Sequence, residues 1–232
     1  MNLKDLMGFI FSGAILLPIV LIIVLQLYSF KGYLALSIYY VLGFFDSLMM
    51  QNIITVSHDF RRVFGVTYNL LDVPLLLTFL SCFSPSALLS KRIRYTILIF
   101  IGFEIFTILY FGFNRNALTI TIGPGLSIIL FFCIWFFIRQ IKIAITHGKS
   151  LGKALITSSF LFVYGCYSFI YVMHYIVRTP NTTDVYIMYL VSSALSVIVV
   201  SAGIVIENKR IRKLKELIVT RHELHVIYKK SN

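Results

Sequence analysis

The sequence predicts an all-α polytopic membrane protein, a seven-transmembrane-helix bundle with the N-terminus outside and the C-terminus cytoplasmic. Three observations predict it. The 232 residues are 59% hydrophobic and only 13% charged, with mean hydropathy +0.89, whereas soluble domains carry about a quarter charged residues. Seven stretches are long and apolar enough to cross a hydrocarbon layer of roughly 30 Å, which takes about 20 helical residues. Finally, 16 of the 21 Lys and Arg fall on one side of the resulting topology, and cytoplasmic segments retain positive charge. The net charge of +12 is therefore a topology signal, and nucleic acid is not an expected partner.

The first span, 8–28, follows Lys4 and contains Pro18, which is expected to bend it as Pro124 is expected to bend the fifth. It is too long for a signal-peptide core, and "YSFKGY" offers no small-residue cleavage site, so it is expected to be a retained helix. The second, 32–54, carries Asp46. The third, 65–84, contains "YNLLDVPLLLTFL", with Tyr68, Asn69, Asp72 and Pro74. Proline has no backbone donor, so Pro74 frees the carbonyl of Leu70 and is expected to bend the helix. The fourth, 94–113, holds Glu104. The fifth, 117–138, has no acid, Lys or Arg; its "GPG" around Pro124 is the weakest helical point in the chain. The sixth, 154–177, holds His174. The seventh, 185–206, is rich in small residues, among them Ser192, Ser193, Ala194, Ser196, Ser201 and Ala202, which permit close helix approach. The longest internal connection is expected over 139–153.

Residues 1–206 thus form the membrane domain and 207–232 a basic tail. In that tail Ile211, Leu214, Leu217 and Ile218 recur at helical spacing among basic residues. This predicts an amphipathic cytoplasmic helix suited to anionic lipid. "NTT" at Asn181 also fits a glycosylation sequon on the outer side.

Four ionisable residues lie within spans: Asp46, Asp72, Glu104 and His174. All fall in the outer half of the membrane. A charged side chain there costs on the order of 2.5–3.5 kcal/mol by insertion scales, so such groups face the bundle interior or a wet cavity. Tyr68 and Asp72 are four apart and share a helix face, with Asn69 beside them. Tyr171, Tyr175, Tyr186 and Tyr189 reach the same level, although outer tyrosines also fit an interfacial belt. The expected arrangement is an outward-opening polar pocket, serving as ligand site or proton relay, between helices two, three, four, six and seven. The bland alternative is that each acid is protonated and serves packing alone. No catalytic residue or metal site is predicted. Cys82, Cys133 and Cys166 show no ligand spacing, the His222 and His225 pair lacks a third ligand, and no nucleophile elbow is present.

"YNLLDVPLLLTFL" resembles the third helix of the microbial rhodopsins, and "TILIFIGFEI" (96–105) resembles their fourth. The resemblance implies an opsin-like bundle of seven helices with an outside N-terminus. Covalent retinal needs an amine in the seventh helix, and that span contains no lysine; the corresponding position falls near Ser196. No cofactor is therefore expected. The function expected is that of an opsin-like or receptor-like integral protein of a plasma or inner membrane. It would bind a small apolar molecule or a membrane-protein partner and signal through the basic tail. The alternative is a small proton-coupled transporter or channel using the intramembrane carboxylates. The paired prolines of seven-helix carriers are present in helices one and five but missing from two and six. An enzyme is not expected.

Overall fold

Seven α-helices make up the fold in the computed structural model, which describes residues 3–84, 86–177 and 182–230. They are α1 (Leu3–Val24), α2 (Lys31–Met50), α3 (His58–Ser81), α4 (Ala87–Phe111), α5 (Arg115–His147), α6 (Leu151–Tyr171) and α7 (Thr182–Lys230). Each contains a segment long and apolar enough to cross a membrane. No strand occurs among the described residues.

Several helices are longer than their apolar spans, because a hydropathy window stops at charges while the backbone does not. Ser57 caps α3, its Oγ accepting from the amide of Phe60 at 3.3 Å, so the helix starts at His58 and takes in Arg61 and Arg62. Ser86 caps α4 in the same way, accepting from Leu89 at 3.2 Å, so Lys91, Arg92 and Arg94 are helical. At its far end α5 runs on to His147, where Gly148 takes a left-handed conformation (φ 62°) and its amide donates to Ala144 at 3.0 Å. The expected connection over 139–153 is therefore mostly helix, and the longest described connection is 51–57.

Neighbouring helices pack in sequence, α1 on α2, α2 on α3, α5 on α6 and α6 on α7, and α1 closes against α7. α3 touches both α4 and α5, and α4 also reaches α5. α4 is the least buried of the seven, with Ile99, Leu109 and Tyr110 standing outward. The densest packing lies in the half of the bundle nearest the tail. There Leu76, Leu77, Phe79 and Leu80 of α3, Phe136 of α5 and Phe160 of α6 are essentially inaccessible.

Apolar contact alone does little to associate helices in lipid; close backbone approach and interhelical hydrogen bonds do more. Both occur between α6 and α7. A Cβ on Gly152 would lie 2.6 Å from the amide nitrogen of Glu207 and 2.7 Å from the carbonyl oxygen of Gly203. One turn-pair further on, the hydroxyl of Ser159 donates to the carbonyl of Ser196 at 2.6 Å and lies 2.8 Å from its Oγ. The serines of α7 at 192, 193, 196 and 201 are thus consumed inside the bundle, while Ala202 faces outward. A second latch joins α1 to the end of α2. Gln51 Nε2 donates to the carbonyl of Gly8 at 2.8 Å, to Ser47 Oγ at 3.1 Å and to Ser12 Oγ.

α1, α3 and α5 continue through Pro18, Pro74 and Pro124. The "GPG" of α5 is not a break but a place of close approach. A Cβ on Gly125 would lie 2.8 Å from Val73 and 3.1 Å from Phe100, and one on Gly123 would lie 3.0 Å from Tyr171 Oη. The irregular turn is instead at the end of α6, where Val172–Ile176 widens into a π-turn and Val177 donates to Val172 at 2.9 Å.

α7 passes residue 206 unbroken. Glu207 and Asn208 are buried there, and Arg210 Nη2 pairs with Glu207 Oε1 at 2.5 Å. Ile211 packs on the core, whereas Leu214 and Leu217 are exposed. Asn181 and the side chains of Ile218, His222 and His225 lie outside the described residues.

Candidate functional site

Towards the end of the bundle remote from the tail, the packing opens into a cavity of about 280 Å³. Helical spacing builds its walls. Tyr68 and Asp72 of α3, Phe100 and Glu104 of α4, and Tyr167 and Tyr171 of α6 are each pairs four residues apart, so each pair presents one face. Asn69 and Val73 of α3, Ile170 of α6, Tyr175 of the π-turn, Tyr39 of α2 and Tyr189 of α7 complete it, with Thr121, Ile122 and Leu126 of α5. α5 therefore contributes a wall that was not expected. Gly123 and Gly125 bring it close enough to do so.

The Asp72 carboxylate is held by α6. Tyr164, which is fully buried, donates its hydroxyl to Oδ1 at 2.6 Å. Tyr39 Oη lies 3.4 Å from the same hydroxyl. The expected partner, Tyr68, shares the helix face but turns its own Oη towards Gly43, where a Cβ would stand only 3.0 Å away. Asn69 is turned back on its own helix, Nδ2 donating to the carbonyl of Gly65 at 2.7 Å.

Most of the other tyrosine hydroxyls also have protein partners. Tyr167 Oη is 2.7 Å from Ser193 Oγ, which in turn donates to the carbonyl of Tyr189 at 2.5 Å. Tyr171 donates to the carbonyl of Thr119 at 3.2 Å. The rings of Tyr167 and Tyr189 stack at 5.0 Å between centroids, and those of Tyr171 and Tyr175 lie 5.2 Å apart. Tyr171, Tyr175 and Tyr189 line the cavity, with Tyr175 also exposed at the surface; the ring of Tyr186 lies 6.5 Å from that of Tyr189.

Glu104 stands apart from this network. It is only 6% exposed, lines the cavity, and makes no hydrogen bond among the described residues. Its carboxyl oxygens are not sealed in the packing but open onto the cavity, where an occupant can reach them.

Two of the expected residues do not line the cavity. Asp46 sits nearer the end of α2, its Oδ1 facing Gly65 of α3. His174 falls in the π-turn, and its neighbour Tyr175 reaches the lining while His174 does not. The His174 ring meets Tyr175 edge-on at 4.8 Å, and its buried Nδ1 has no hydrogen-bond partner. The cavity residues that sequence reasoning missed are the polar or aromatic Tyr39, Phe100, Thr121 and Tyr167 and the aliphatic Val73, Ile122, Leu126 and Ile170, with Tyr164 behind them. The recurrence of tyrosine at 167, 171 and 175 was the available signal for a polar face on α6.

Among the described residues no three His, Cys, Asp or Glu side chains converge as a metal site would require. No family model matches the chain, and neither a search of curated proteins nor one of solved structures returns a match.

Proposed function

We propose that the chain is an opsin-like, receptor-like integral membrane protein that holds a small ligand non-covalently in the tyrosine-lined cavity. In this reading it resides in a plasma or inner membrane with the cavity end outside. Its basic tail lies on the cytoplasmic face against anionic lipid and carries the output. The observation that carries the reading is the meeting of Asp72, Glu104 and the tyrosines around one cavity, with Glu104 left unpartnered. Ionisable groups in membrane helices cost enough that they mark functional pathways by default, and a concave, mostly apolar space with a few convergent polar groups is the usual form of a ligand site.

Native mass spectrometry of the protein extracted from its own membrane tests this. The expected result is a co-purifying small molecule on the wild-type chain, lost when Ile122→Trp fills the cavity. A wild-type chain that is uniformly empty refutes the reading.

A second reading, a proton-coupled carrier, draws on the same two carboxylates. It needs access from the tail end as well. The close packing of Leu76, Leu77, Phe79 and Leu80 on that side supports binding over passage.

A further inference from the structure

We infer that the ligand of the cavity is a small organic cation, an ammonium head with short apolar substituents, and that Glu104 is its counter-charge. The inference rests on the reading that the cavity holds a ligand, and adds the ligand's chemical class.

Charge is the first argument. Asp72 and Glu104 line one cavity, and no Lys, Arg or His is among the residues that line it. Asp72 receives the Tyr164 hydroxyl, but Glu104 receives nothing from the described residues. An anionic or purely apolar occupant would leave that carboxylate, which opens onto the cavity, without a counter-charge. A cation answers it directly.

The lining supplies the second argument. Tyr164, Tyr167 and Tyr171 have their hydroxyls engaged with Asp72, Ser193 and the Thr119 carbonyl. What Tyr167 and Tyr171 then offer the cavity is ring carbon, which Phe100 extends. Aromatic rings attract a weakly hydrated cation through their quadrupole, and rings around a carboxylate suit an ammonium group. A metal ion would want several oxygen or nitrogen ligands together, and the described residues do not assemble them. The size fits as well. A volume of about 280 Å³ is at the lower edge of ligand sites, which span roughly 300–1,000 Å³.

The test uses the purified full chain in detergent at constant ionic strength, with thermal unfolding and calorimetric titration as readouts. The probes are choline, tetramethylammonium and tetraethylammonium, set against dimethylbutanol, the neutral carbon isostere of choline. Sodium chloride controls for salt. The expected result is that at least one ammonium probe raises Tm and titrates saturably, while the isostere does neither. Glu104→Gln, which keeps the shape and removes the charge, should weaken that binding roughly tenfold or more. If the isostere binds as well as choline and Glu104→Gln changes nothing, the cavity is a ligand site but its ligand is not a cation. If no probe of either kind binds, while extraction from the native membrane still shows an adduct, the cation class is again refuted. If that adduct is missing too, the ligand-site reading falls with it. The wild-type comparison of choline with its isostere decides the question even if the Gln variant fails to fold.

Discussion

Replacing Tyr164 with Phe removes one hydroxyl from a fully buried ring and leaves the packing of that ring intact. The hydroxyl donates to Asp72 Oδ1 at 2.6 Å, and Tyr39 Oη lies 3.4 Å from it. The first distance is at the short end of the range for a hydroxyl donating to a carboxyl oxygen. Hydrogen bonds to charged groups contribute about 1.5–3 kcal/mol, whereas side-chain hydrogen bonds between membrane helices average about 0.6 and reach about 1.7 kcal/mol. Tyr164→Phe is therefore expected to cost about 1.5–2 kcal/mol, near the overlap of those ranges. A double-mutant cycle with Asp72→Leu isolates the pair, because Leu is close in shape and removes the acceptor that the Tyr164 hydroxyl uses. The assay is reversible unfolding in mixed micelles, with the coupling energy as readout. A coupling of about 1 kcal/mol or more is expected. A coupling within about 0.3–0.5 kcal/mol of zero, the spread expected of independent sites, would show that Tyr164 does not hold Asp72 and would remove the link between α6 and α3 at the cavity.

Three further outcomes are expected. Gly152→Ala drives a methyl into backbone atoms of α7 that cannot rotate away, so it should destabilise by about 1–3 kcal/mol or more. Gly165→Ala on the same helix, with nothing within 4 Å of the new methyl, should melt like the wild type, and equal effects of the two would refute the seam. Gln51→Leu should cost about 1 kcal/mol by removing the side-chain latch between α1 and α2, read as a lower Tm; an unchanged Tm would mean the latch adds nothing. Reporters fused after Lys149 and after Asn232 should read as cytoplasmic and one after Asn181 as external, and the reverse result at Asn181 would overturn the proposed orientation.

The seven spans were legible in the sequence because a hydrocarbon layer demands long apolar runs, and the runs are there. Helix ends were not, since Ser57 and Ser86 cap the backbone where side chains are already charged. The cavity was half legible. Spacing on α3 placed Tyr68, Asn69 and Asp72 together, and the cost of acids in lipid drew attention to Glu104. What spacing within one helix does not reveal is the partner on another. Tyr164 and Tyr167 sit in a run that reads as apolar and aromatic, and only the arrangement of the whole bundle brings the Tyr164 hydroxyl of α6 to Asp72 of α3. "GPG" has a second meaning for a related reason. Glycine weakens a helix in isolation, yet in a bundle it lets another helix come close, as at Gly125 against Val73 and Phe100.

Under the proposed function the route from cavity to tail is mechanical and lies along α7. Tyr189 lines the cavity, and the same helix continues without interruption past the buried Glu207 into the basic segment. α7 cannot slide along α6, because Gly152 and Gly203 set backbone against backbone and Ser159 is bonded to Ser196. Bistable interfaces transmit a local change by repacking as rigid units rather than by gradual deformation. An occupant pressing on Tyr167 and Tyr189, which are stacked across α6 and α7, would therefore shift the two helices together against α1 and α5. Spin labels at Ala202 and Ile138, both outward-facing, report the distance between α7 and α5. That distance should change when an occupant binds, while the α6–α7 distance, read from labels at Phe162 and Ala202, stays constant. A change confined to the α6–α7 pair would instead mean that the glycine seam is the moving part.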